Sequence, residues 1–111
     1  MTDIKSIQSV QDLDEVFSLP SALIFKHSPR CSISAGVRRQ FHDFARRNDD
    51  MPALFEIDVV NNADVSNMLA EQTGIRHESP QAVLLRNGKA VWDASHWRLS
   101  VDSLQQAITM E

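Results

Sequence analysis

The order of strand and helix signals along these 111 residues predicts an α/β fold built on one mixed sheet. Three observations carry that expectation. Two compact apolar runs of strand length, Ser21 to His27 and Ala53 to Val60, are each followed by a helical pattern. Later, Asn87-Gly88 sits between two further apolar runs, the signal of an antiparallel hairpin. Alternation of strand and helix gives parallel pairing in the first half, and the hairpin closes the sheet antiparallel.

Taken in order, Ile4 to Ile7 suggests a short edge strand. Ser9 is a good N-cap for a helix through about Ser18, with Leu13, Val16 and Phe17 on one face and Leu19-Pro20 as its stop. The run "SALIFKH" from Ser21 to His27 is the first central strand. From Ser32 to Arg47, Ile33, Val37, Phe41 and Phe44 recur at spacings of four, four and three. That is one helical stripe, and Arg38, Arg39, Arg46 and Arg47 fall off it, as on a solvated face.

Asn48-Asp49-Asp50-Met51-Pro52 breaks the chain before the second central strand. Asn61-Asn62 or Asp64 caps a helix carrying Val65, Met68 and Leu69, and Thr73-Gly74 ends it. Ala82 to Leu85 and Ala90 to Ala94 form the hairpin. Ser100 caps a last helix with Val101, Leu104 and Ile108 inward. The order β-α-β-α-β-α-β-β-α gives a central mixed sheet of four to five strands flanked by four helices. That is the layout of a thioredoxin-like domain, and residues 1–111 suffice for one such domain.

Composition narrows the function. A net charge of −4 gives no general attraction to nucleic acid or to anionic membranes. No apolar stretch approaches the roughly 20 residues of a membrane-spanning helix. The first residues lack a basic segment followed by an apolar run, so no signal peptide is expected. The single cysteine excludes an internal disulfide and fits a reducing, cytoplasmic setting.

That cysteine, Cys31, lies in "FKHSPRCSIS". Free cysteines are most often inert packing. Here the surrounding residues are polar, and the position is a strand-to-helix turn rather than a core stripe. Backbone N–H groups and the helix dipole at such a turn favour a thiolate. Arg30 adjoins it, and Lys26 and His27 are expected to approach it from the strand end. Cys31 is therefore the candidate nucleophile, with Arg30, Ser32 and Ser34 as candidate supports of the thiolate.

Ser34 stands three residues after Cys31, so the motif is Cys-x-x-Ser. A cysteine there would resolve a mixed disulfide internally, and a serine hydroxyl forms no disulfide. Its hydroxyl is either a donor to the thiolate or an ordinary helix-surface group. Ser79-Pro80 precedes the third central strand. Either its bond is cis, with the Ser79 backbone offered as an edge to substrate, or Pro80 simply begins the strand. His96 and Trp97, after the last strand, are candidates for contact with a small thiol, with packing of Trp97 as the alternative. The four histidines show no metal-ligand spacing, and no Gly-rich phosphate loop or G-x-S-x-G elbow is present.

The stretches "FKHSPRCSIS", "ALFEIDVV" and "TGIRHESPQAVLLRNGKAVWDASHW", with their HESPQ and ASHW signatures, closely resemble the YtxJ-like monothiol bacilliredoxins. The resemblance spans about Ser21 to Trp97. It implies a thioredoxin-like fold in which Pro80 is the cis-proline. It also implies removal of bacillithiol, a low-molecular-weight thiol, from protein mixed disulfides. Cys31 matches the family's active-site cysteine and Ser34 the serine that ends its motif. The implied substrate is bacillithiol or a similar thiol, with no bound cofactor. The implied partners are bacillithiolated client proteins and an external reducing thiol or reductase, the protein being a monomer or weak dimer. The family motif usually reads Cys-Pro-Ile-Ser, and this chain has Ser32 in the proline position. A redox sensor modified once at Cys31, or a thioredoxin-fold interaction module, is the alternative to an enzyme.

Overall fold

The computed structural model describes residues 2–49 and 52–109. The expected break across 48–52 therefore lies partly outside the described residues, at Asp50 and Met51. The described elements are β1 (Ile4–Ser6), α1 (Val10–Phe17), β2 (Ser21–His27), α2 (Ser32–Arg47), β3 (Ala53–Asp58), α3 (Ala63–Thr73), β4 (Gln81–Arg86), β5 (Lys89–Ser95) and α4 (Val101–Thr109). The sheet order is β1-β3-β2-β4-β5. β3 runs parallel to both β1 and β2, while β4 is antiparallel to β2 and to β5. The architecture is the thioredoxin-like α/β layout that the sequence predicts, and the short edge strand β1 is present.

Local chemistry sets the ends of the elements. The Ser9 hydroxyl accepts a hydrogen bond from the Asp12 amide at 3.1 Å and caps α1. β3 stops two residues before the expected Val60, because the Asp58 carboxylate accepts from the Val60 and Asn61 amides and turns the chain. Gly74 takes a left-handed φ of 72° at the end of α3. Asn87 and Gly88 both have positive φ, as a tight hairpin turn between β4 and β5 requires. At α4, Ser100 and Ser103 exchange side-chain to backbone bonds of 3.1 and 2.9 Å.

Two cores form, one on each face of the sheet. Leu23 and Phe25 of β2 point toward α2 and α4, where Val37, Phe41, Phe44, Leu104 and Ala107 cover them. Phe25 and Phe41 stack with ring centroids 5.0 Å apart. Ala22 and Ile24 point the other way and pack with Leu13, Val16, Val65 and Leu69 of α1 and α3. Burying one such large side chain is worth about 1.5–3 kcal/mol. Because α2 is anchored by three buried residues of its apolar stripe, its first residue is fixed over the end of β2.

Candidate active site

Cys31 is the N-cap of α2, in extended backbone with φ −112° and ψ 121°. Its thiol is partly exposed, and its side chain makes no cap hydrogen bond. Two backbone bonds hold the residue. The Cys31 amide donates to the Ser28 carbonyl at 3.2 Å, and the Cys31 carbonyl accepts from Ala35 at 3.1 Å. The first amides of a helix lack intrahelical acceptors and favour negative charge at that end.

Ser34 is fully buried. Its Oγ accepts a hydrogen bond from the Ser28 amide at 2.9 Å. The hydroxyl thus ties the turn before Cys31 to the first turn of α2, and it is not a surface group. Arg30 and Ser32 flank the thiol and are exposed.

The Ser79–Pro80 peptide bond is cis. Register places it beside the site: Gln81 pairs with Lys26, near the end of β2, and Pro80 comes one residue before that pair. The Pro80 carbonyl accepts from the His96 amide at 3.0 Å. The Ser95 hydroxyl donates to Glu78 Oε2 at 2.5 Å, and this bond holds the Glu78 carboxyl below its ordinary range. The two segments from opposite ends of the hairpin are therefore fastened together. Among the described residues, Ser79 Oγ is the one buried side-chain polar atom with no hydrogen-bond partner.

His96–Arg98 form a single 3₁₀ turn that packs against α2. His96 has a φ of 53°, an uncommon value for a residue with a side chain. Trp97 is 78% exposed, so packing does not explain this tryptophan. The fold thus brings residues 28–34, 79–80 and 95–98 to the same end of the sheet.

Lys26 departs from expectation. It shares the face of Ala22 and Ile24, is 1% exposed, and donates to Gln81 Oε1 at 3.2 Å. Burial lowers its ammonium to about 8. Its charge is spent on Gln81 rather than offered to the strand end. Gln81 in turn donates to the Arg76 carbonyl at 3.0 Å and accepts from the Glu78 amide at 3.4 Å. His77, whose Nδ1 is 3.1 Å from Ser66 Oγ, titrates below its usual value because of burial first and the Lys26 charge second. The sequence carries one signal for this network. Alternation along β2 places Lys26 inward with Ala22 and Ile24.

His27 faces the other way, with its ring stacked on Phe25 at a centroid distance of 6.1 Å. Burial lowers its pKa, against the opposing charges of Glu56 and Asp58. Among the described residues, no three His, Cys, Asp or Glu side chains are grouped to hold a metal ion, and no helix is long and apolar enough to cross a membrane.

Comparison with known proteins agrees with this geometry. The family model described as monothiol bacilliredoxin BrxC matches residues 2–104. A solved structure described as a candidate oxidoreductase with a thioredoxin fold is 33% identical, with a TM-score of 0.86 over 95% of this chain and 93% of that one. A thioredoxin variant from Halobacterium salinarum is 25% identical, with a TM-score of 0.73 over 96% and 88% of the two chains. Thioredoxin from Malassezia sympodialis, 19% identical, shares the fold at a TM-score of 0.75 over 98% and 90%.

Proposed function

The chain belongs to the monothiol bacilliredoxin family, and from that premise we propose that it removes bacillithiol from protein mixed disulfides through Cys31. The observation that carries this reading is the placement of a partly exposed thiol at the N-cap of α2. The buried Ser34 three residues on is already bonded to Ser28.

In the proposed step the Cys31 thiolate attacks the bacillithiol sulfur of the mixed disulfide. An S–S bond forms between Cys31 and bacillithiol as the S–S bond to the client breaks. The client sulfur leaves as a thiolate and takes a proton from water. One disulfide replaces another, with no net change in electrons and no resident cofactor required. An external thiol or reductase then attacks the adduct and releases Cys31, because the Ser34 hydroxyl forms no disulfide.

The Ser79 backbone, with Pro80, His96 and Trp97, is assigned to the substrate side of the site. The exposed Trp97 ring supports that assignment. Arg30 and Ser32 border the thiol on its exposed side. The setting is a reducing, cytoplasmic one, which the single cysteine supports.

The test is direct. Reduced protein is incubated with a bacillithiolated client, and intact masses are followed. Cys31 should gain the mass of one bacillithiol as the client loses it, and Cys31→Ser should gain none. A client that keeps its adduct in the presence of the reduced protein would sink the proposal. Repeated turnover with a coupled external reductant separates an enzyme from a sensor that reacts once.

A further inference from the structure

A second feature lies along the flank of α2, outside the thiol site. A solvent-open cavity of about 520 Å³ is walled by His27, Ser28, Pro29, Arg38, Arg39 and Arg46, among others. It meets the Cys31 loop at Ser28 and Pro29, and Cys31 itself is outside the wall.

The charges of this wall are unevenly matched. Arg38 is held by Glu56, with bonds of 2.9 and 3.1 Å. His42, also on the wall, reaches the same carboxylate at 3.4 Å. Arg46 pairs with Asp43 on its own helix. Among the described residues, Arg39 has no carboxylate partner. A Cβ at Gly36 would lie 3.9 Å from Arg39 Nη2. The guanidinium therefore folds back over Gly36, one turn nearer to Cys31, as side chains three apart on a helix do. This excess of positive charge is local, since the whole chain carries −4.

We infer that this cavity is a docking groove for an acidic segment of the client protein, with Arg39 as the residue that selects for it. The inference rests on the exchange reading above, because it supplies the client whose disulfide Cys31 opens. Its dimensions favour a peptide. From Ala35 to Arg46 the helical wall runs on the order of 16 Å, the span of about five extended residues. Carboxylates in the groove would bind the unpaired guanidinium and steer the client's disulfide toward the adjoining loop.

The experiment uses two fluorescent peptides that differ only in three Glu-to-Gln changes beside a central serine, so that no exchange takes place. Binding is read by anisotropy. The acidic peptide should bind roughly tenfold more tightly at low ionic strength, and the difference should vanish with Arg39→Gln and in high salt. Equal binding of the two, no binding of either, or a preference that Arg39→Gln leaves intact would overturn the groove. Displacement of the acidic peptide by equimolar citrate would assign the cavity to small anions and overturn it as well. Companion peptides carry a central cysteine in a mixed disulfide with bacillithiol. Should neither exchange while the acidic preference persists, the chemistry at Cys31 fails and the groove stands.

Discussion

The amide of Ser28 donates to the buried Oγ of Ser34 at 2.9 Å, so the residue in the resolving position of the motif fastens the turn that presents Cys31. Ser34→Ala leaves that amide without its acceptor and should cost about 1–2 kcal/mol in denaturant unfolding. Ser34→Cys should do something different. It gives Cys31 an internal partner, so a mixed disulfide on Cys31 should resolve without added thiol. Persistence of the adduct in that variant, followed by mass, would contradict the geometry.

Ser32→Pro should be accepted and stabilising. Ser32 is the first residue of α2, where proline loses no intrahelical hydrogen bond and its fixed φ suits the helix. Cys31 already has the extended backbone that a residue before proline needs. The expected gain is about 0.5 kcal/mol in thermal or urea unfolding. A loss of stability would mean that the turn at Ser32 differs from a regular first helical turn.

Lys26 makes stability depend on alkaline pH. At pH values below about 8 its ammonium is protonated in the folded and the unfolded chain alike, and its burial opposes folding. Between about 8 and the ordinary value of 10.5 the unfolded chain keeps a proton that the folded chain has lost. Stability therefore rises with pH across that window. Lys26→Met should remove this rise, on the order of 1–2 kcal/mol. Urea midpoints of both proteins from pH 7 to 10 decide it, and parallel curves would count against the assignment.

Trp97→Ala should separate function from folding. The ring is largely exposed, so its removal should change stability by no more than about 0.5 kcal/mol. If it holds substrate, exchange with a bacillithiolated peptide should slow by roughly tenfold. An unchanged exchange rate would remove Trp97 from the substrate surface.

The strands and helices were legible because their signals are local. The stripe Ile33, Val37, Phe41 and Phe44 and the Asn87-Gly88 turn each announce one element without reference to the rest. β1 was uncertain for the same reason. Three residues with one half-buried side chain carry little pattern, and pairing with Leu54 to Glu56 is what defines the strand. The place of Cys31 between strand and helix was readable in the same way. The partner of Lys26 was not, since Gln81 is 55 residues away. The turn at His96 breaks the usual rule for positive φ and gives no local warning. The arginines of α2 read as a solvated face, because the histidine and loop residues that complete their cavity come from the end of β2 and beyond.

The sheet order has a consequence for the newly made chain. The β4–β5 hairpin is a local structure, whereas pairing of β2 with β4 joins residues about half the chain or more apart. Loop closure makes such distant pairing slow relative to hairpin formation. Until it happens, the turn that carries Cys31 is not held at the same end of a sheet as Pro80, His96 and Trp97. On the proposed exchange reading, the selectivity that these segments confer therefore waits on that pairing. Completion of the fold, rather than synthesis of the cysteine, is what assembles the site.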